Sequence, residues 1–324
     1  MFRYLPHEQI DKRAWDACVS NAIQSELYAY SWYLDVVSPR WNAFVSSAAG
    51  GYQAVMPLPT LKRYGICYVS QPLFAQQLGV FSTVAISPQA WQALWAMLDE
   101  HYSLVAHYQF NTANTAEMPL SLLPSGWAVK ALHTHYLPLY QPYQQLWANY
   151  TPDRKTNLKR AYQQNLRVVE STDLAPLIAM FDQSVSHKIG IHPKSYTWLT
   201  SLHEALAQRQ KVRLLYTQHP NGKLGSGVML AFHQHKIIYL FNAAYPWARA
   251  SNGRTLLLDR TFKEYAQSPL VFDFESPELP NISHFYQSFG STPQTIRQIS
   301  YNHLPAWLKI LQKIRRSFIN SHIM

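Results

Sequence analysis

Two carboxylates, Asp273 and Glu275, alternate with Phe272 and Phe274. Residues two apart on a strand share a face, so the pattern predicts paired carboxylates at the end of a buried strand. A like charge or burial raises one carboxyl pKa, which suits a base or an amine anchor; a salt bridge to nearby arginines is the competing reading. Tyr286 supplies a phenol in the next predicted helix, either as a proton donor or as packing among 21 tyrosines. Ser251-Asn252-Gly253-Arg254-Thr255 opens another predicted helix. A helix start offers free N–H groups and the positive dipole end. Glycine admits close backbone approach, and Arg254 adds a fork of donors. That run reads as a phosphate cradle or as an ordinary Ser/Asn/Gly cap. Gln71, Gln76 and Gln77 interrupt a Leu-rich, aromatic stretch, as amides lining a cleft or capping a loop. His187 and Lys188 stand between two predicted helices, in an acceptor pocket or in a solvated loop. The pairs His133/His135 and His233/His235 lack the third and fourth ligands a metal needs. Cys18 and Cys67 lack a triad context, and there is no P-loop. No metal is expected.

The elements that carry these residues form a repeating order. In the second half, a strand over Asn165–Glu170 precedes a helix that Asp173 caps, then a helix over Lys194–Gln208. Strands Val212–Thr217, Leu224–His233 and Lys236–Asn242 follow, the last two pairing around Gln234. Then come a helix Arg254–Ala266, a strand Leu270–Phe274, a helix Asn281–Ser288 and a strand Thr295–Tyr301. The first half runs in the same order: strand Phe2–Leu5, helices near Lys12–Asn21 and Trp32–Val37, a hairpin Trp41–Ser46/Tyr52–Leu58, and strand Ile66–Ser70. A helix then opens at Ser87-Pro88, where proline is favoured, before strands Leu104–Phe110 and Ala128–Leu132. Pro88 and Arg254 lie 166 positions apart, as do Leu104 and Leu270. One unit of about half the chain is used twice.

Composition narrows the class. The chain has 324 residues, 48% hydrophobic, 14% aromatic and only 14% charged, with a net charge of +10. So many aromatics and so few charges exclude a disordered chain, and two cysteines exclude a disulfide scaffold. No apolar run reaches the ~20 residues of a spanning helix, and the mean hydropathy is −0.21. Charged residues through the first twenty positions leave no signal-peptide core, so a cytoplasmic protein is expected. The basic balance favours anionic partners.

The order, and local phrases with it, resemble the GNAT acyltransferase superfamily in its tandem, FemAB-like form. The phrases are Trp32-Tyr33-Leu34-Asp35 with Trp41 and Met56-Pro57-Leu58-Pro59, and Gln71-Pro72-Leu73-Phe74 with Gln76 to Ser82. Phe272-Asp273-Phe274-Glu275-Ser276 and Phe285-Tyr286-Gln287-Ser288-Phe289-Gly290 complete the set. Ser276 departs from the family, which has Gly there, and Pro277 also departs. The resemblance implies an α/β (α+β) fold of two GNAT-like domains, each a mixed, mostly antiparallel sheet flanked by helices. The expected divisions are 1–150, with a degenerate donor site, 151–305, with the donor site, and 306–324. It implies N-acyl transfer from acyl-CoA, or from aminoacyl-tRNA, to a small-molecule or lipid-linked amine, such as a cell-envelope precursor. Asn242 and Ala244 on a splayed strand, with Ser251, Asn252, Gly253, Arg254 and Thr255, would hold the donor. Glu275 would act as base with Asp273 beside it, and Tyr286 as acid. The first half has Ser87-Pro88 in place of Asn-Gly-Arg, a poorer anion site. The rival class is a non-catalytic GNAT pair that binds a ligand or partner.

Two basic elements remain. Arg154, Lys155, Lys159, Arg160 and Arg167 crowd the stretch between the halves, as a tRNA contact or a solvated helical linker. Residues 306–324 predict a basic amphipathic helix striped by Trp307, Ile310, Leu311, Ile314 and Phe318. It would touch a membrane surface or dock on its own domain.

Overall fold

The structure is a computed structural model and describes residues 1–186, 194–276 and 279–309. The chain divides into two compact units. The first holds Met1–Ser25, Ala29–Ala131 and the chain from Arg297 on; the second holds Glu26–Tyr28 and Leu132–Ile296.

In the first unit, β1 (Phe2–Leu5) is followed by α1 (Lys12–Asn21) and α2 (Ser31–Val37), then β2 (Trp41–Ala48), β3 (Gly51–Arg63) and β4 (Ile66–Ser70). These strands pair antiparallel in chain order, and the short β5 (Phe81–Ser82) joins β3. After α3 (Pro88–His101), β6 (Leu104–Phe110) lies parallel to β4. Parallel neighbours need a crossover, and α3 provides it. Its apolar stripe, Trp91, Leu94, Trp95 and Leu98, is buried, with Trp91 stacked on Trp95 at 5.1 Å. A short α4 (Thr112–Glu117) leads toward β7 (Ala128–Pro138).

The second unit repeats this plan. It opens with α5 (Tyr143–Ala148) and α6 (Pro152–Gln163), then β8 (Arg167–Ser171), α7 (Ala175–Phe181) and α8 (Lys194–Ala207). The strands β9 (Val212–Gln218), β10 (Leu224–His233) and β11 (Lys236–Ala244) pair antiparallel, with β8 on β9. The crossover helix α9 (Gly253–Tyr265) sets β12 (Val271–Asp273) parallel to β11; α10 (Pro280–Gln287) and β13 (Thr292–Asn302) close the order. Phe262, Phe272, Phe274, Tyr286 and Phe289 form the centre of this unit's core. The stretch between the halves is not a bare linker: Tyr150, Leu158 and Ala161 are buried in that same core.

The units do not follow the expected cut between residues 150 and 151. The end of β7 pairs antiparallel with β12, so Leu132 onward joins the second unit. The end of β13 pairs antiparallel with β6, so Arg297 onward joins the first. Each half thus gives its last strand to the sheet of the other. Most of the expected 306–324 helix lies outside the described residues, as do His187 and Lys188.

Candidate functional site

The site is built where β11 leaves β12. Only Lys236, Ile237 and Ile238 of β11 pair with β12, although β11 runs on to Ala244. A register shift against β10, with Leu230 opposite Tyr239 and Met229 opposite Phe241, leaves Leu240 as an extra residue. Such a bulge bends a strand and re-aims its side chains. From Tyr239 onward, the β12-facing edge of β11 makes no ladder with β12.

At the end of β11 a 3-10 turn, Pro246–Ser251, leads into α9. Asn252 takes a left-handed φ of 57°, and no side chain caps the helix. The Asn252 amide turns back to the Ala250 carbonyl instead, at 3.1 Å, and the Ser251 hydroxyl donates to Ala248 O. The first-turn N–H groups of α9 therefore carry their partial positive charge outward. Gly253 seats this turn on the sheet. A Cβ there would stand 2.7 Å from Ser226 Oγ and 2.8 Å from Thr217 Oγ1. Gly253→Ala is expected to lower the urea midpoint. Overpacking costs about 1–3 kcal/mol, which outweighs the ~1 kcal/mol of better helix propensity. An unchanged or raised midpoint would contradict this seating.

A pocket of about 230 Å³ opens at this helix start, lined by Ala244, Asn252, Gly253, Arg254 and Thr255. Arg154, Asn157, Ser226, Arg249 and Phe285 complete its wall. Arg154 is the residue that sequence reasoning misplaced. It is only 5% exposed. Its Nε donates to Ser288 Oγ and its Nη1 to Thr255 Oγ1, both at 2.8 Å. Its guanidinium lies 4.3 Å from the Phe285 ring centre, and that of Arg254 lies 5.8 Å from the same ring. Arg254 also donates to Asn242 Oδ1 at 3.2 Å. Among the described residues Arg154, Arg249 and Arg254 have no carboxylate partner. Arg213, by contrast, is held by Glu170 and Glu264. Burial pushes the Arg154 pKa below its ordinary value, and neighbouring Arg254 lowers it further against the pull of Asp153. Ser226, 1% exposed, lines the pocket with an Oγ that finds no partner among the described residues. One buried guanidinium, Arg154, two exposed ones, an orphan hydroxyl and an uncapped helix start meet here, a lining whose charge and donors suit an anion.

The acid–base candidates stand at the end of β12. Asp273 is fully buried; its Oδ1 accepts from the Thr134 hydroxyl at 2.6 Å and from the Glu275 amide at 3.0 Å. The expected shared face is corrected here. The strand stops at Asp273, and Glu275 takes a left-handed φ of 47°, so strand alternation does not reach it. Asp273 instead pins the turn that presents Glu275. Tyr286 stacks on Phe274 at 4.5 Å, and burial, with Tyr239 and Glu275 nearby, drives its pKa upward. Tyr239, on the unladdered part of β11, was not anticipated. Its buried hydroxyl has no partner among the described residues. The departure at Ser276 has a local cause: its hydroxyl pairs with His135 Nδ1 at 2.7 Å, a contact glycine lacks.

The glutamine set belongs to the first unit and is not among the residues that line this pocket. Gln71 donates to Ala75 O and accepts from the Gln109 amide, and Gln77 accepts from the Thr112 amide. These two make the loop-capping bonds of the second reading. Gln76 sits beside them; its main-chain carbonyl accepts from Gln71 Nε2 at 3.3 Å. Among the described residues no group of three or more His, Cys, Asp or Glu side chains is placed to hold a metal. No helix there is long and apolar enough to cross a membrane.

The fold is that of the GNAT acyltransferases, used twice in one chain. Solved structures of low sequence identity share this fold along nearly the whole chain. The chain is similar to the crystal structure of FemX, at a TM-score of 0.66 and 14% identity over 95% of this chain and 99% of that one. It is also similar to L-PGS from Bacillus licheniformis, with a TM-score of 0.56 and 12% identity over 95% and 96%. A tandem GNAT protein from the clavulanic acid biosynthesis pathway aligns with a TM-score of 0.52 and 9% identity, over 94% and 100%. No protein-family model and no curated protein matches the sequence.

Proposed function

We propose that the protein is an N-acyltransferase that draws its acyl group from acyl-CoA and passes it to an amine. The observation that carries this reading is the trio Arg154, Arg254 and uncapped α9, with orphaned Ser226, next to a β11 edge left open by β12. The donor's diphosphate would lie on the α9 N–H groups between the two guanidiniums. Its amide-bearing arm would pair with the edge of β11 that β12 does not reach, from Tyr239 to Ala244. Held there, the thioester ends near Glu275, Tyr286 and Tyr239. Glu275 takes the proton from the attacking amine; the raised pKa of Tyr286 keeps its phenol protonated at neutral pH, ready for the departing thiolate.

The test is calorimetry of the full chain with acetyl-CoA and coenzyme A. Binding is expected, weakened about tenfold or more by Arg254→Ala, since a hydrogen bond to a charged group contributes about 1.5–3 kcal/mol. No heat from either ligand ends the acyl-CoA reading; a mobility shift with charged tRNA in that case would transfer the same site to an aminoacyl-tRNA donor.

A further inference from the structure

Trp247 is 52% exposed, yet its ring is held. It stacks on Tyr245 at 6.0 Å with an interplanar angle of 15°, and His219 lies against it at 4.9 Å. Pro246 fixes the backbone at the start of this turn. Gly225 makes room beneath: a Cβ there would meet His219 Nε2 at 2.7 Å and Ala248 Cβ at 3.0 Å. The Tyr245 amide donates to the Gly225 carbonyl at 3.0 Å. The cluster borders the anion pocket along the chain. Tyr245 follows Ala244, Trp247 stands two residues before Arg249, and Gly225 precedes Ser226; all three of those neighbours line the pocket.

We infer that Tyr245, Trp247 and His219 form a base-stacking platform, so that the donor bound at the anion pocket is a purine nucleotide whose base lies on Trp247. This inference rests on the acyl-CoA reading and adds the part of the ligand that reading leaves unplaced. Every nucleobase presents a π-face, and an aromatic side chain already held in place receives it without losing further freedom. Arg249, exposed on the same turn and donating to Ser184 O at 3.3 Å, offers a cation for a phosphate on the same nucleotide. Burial lowers the His219 pKa, so the ring under the platform is neutral at pH 7 and does not repel Arg249.

The experiment titrates the full chain with coenzyme A and with 4′-phosphopantetheine, the half of coenzyme A without the base. Trp247→Ala is expected to weaken coenzyme A about tenfold and to leave 4′-phosphopantetheine unchanged, while Trp247→Phe restores most of the loss. Thermal melting of each variant checks that it is folded. Coenzyme A binding unaffected by Trp247→Ala overturns the platform and leaves the acyl-CoA reading standing, as does equal weakening of both ligands. Failure of the unaltered chain to bind either ligand removes the acyl-CoA reading and the platform with it.

Discussion

Arg154→Met should weaken coenzyme A binding by about ten- to a hundredfold and leave the thermal midpoint nearly where it was. The two effects separate because Arg154 is a buried cation with no carboxylate partner among the described residues. Its hydrogen bonds go to the neutral hydroxyls of Ser288 and Thr255, and its faces rest on Phe285 and Phe289, at 4.3 and 4.9 Å. Methionine keeps most of that apolar contact. It forfeits two hydrogen bonds and two cation–π contacts of about 0.5–2 kcal/mol each, and removes a charge whose burial costs several kcal/mol when uncompensated. Toward an anionic ligand the balance is one-sided: a charge-assisted bond contributes about 1.5–3 kcal/mol, or roughly one to two powers of ten in affinity. Calorimetry gives the affinity and calorimetric melting the midpoint. A variant that loses many degrees but binds normally would make Arg154 a structural residue and leave Arg254 to hold the ligand alone.

The same residue shows where the sequence was legible and where it was not. Strands and helices with strong periodicity were readable: α3 with its tryptophan stripe, the β10–β11 hairpin turning at Gln234 and the helix opening at Gly253 all stand within a few residues of expectation. The basic run 154–160 reads as a solvated face because lysine and arginine dominate it. Yet Arg154, Leu158 and Ala161 are spaced i, i+4, i+7, the spacing of a buried helical stripe, and all three are buried. That signal was present and outweighed by composition. The turn at Glu275 left no such signal. Phe-Asp-Phe-Glu alternates as a strand does, and the left-handed φ of Glu275 with the bond from its amide to Asp273 shows that the chain has already turned. The exchange of last strands was equally silent, since an edge pairs through backbone groups that every sequence carries.

The two halves also explain why one helix start suits an anion and its counterpart does not. At α3, the Ser87 hydroxyl accepts from the Ala90 amide at 3.2 Å and Pro88 has no N–H to offer. Two of the four free donors are thereby gone. At α9 the cap is a left-handed Asn252 whose side chain faces away, and glycine opens the helix. A repeated fold thus differs at one turn of helix, and that difference leaves the helix start of the second unit with more free donors for an anion.

Asp259→Leu should destabilise the protein by about 2 kcal/mol in urea unfolding, and Asp259→Asn should not. Asp259 is buried on α9, one turn after Thr255, and gathers three phenols: Tyr143 at 2.7 Å, Tyr150 at 3.1 Å and Tyr162 at 3.2 Å. It ties α9, which carries Arg254, to α6, which carries Arg154. Leucine leaves the buried Tyr150 hydroxyl without an acceptor, a cost of about 1–3 kcal/mol; the exposed Tyr162 turns to water. Asparagine keeps an acceptor oxygen and carries no charge. Burial raises the Asp259 pKa, and the three phenols draw it part of the way back. A carboxyl raised above its unfolded value of about 3.9 binds its proton more tightly when folded. Its contribution is therefore full below about pH 3.9 and is lost as the pH rises through the folded value. Relative to Asp259→Asn, the unaltered protein should lose stability across that rise, and parallel pH profiles would show that the phenols, not burial, dominate the carboxylate. Coenzyme A affinity should fall with leucine and hold with asparagine, because only leucine unties the helix that carries one arginine from the helix that carries the other.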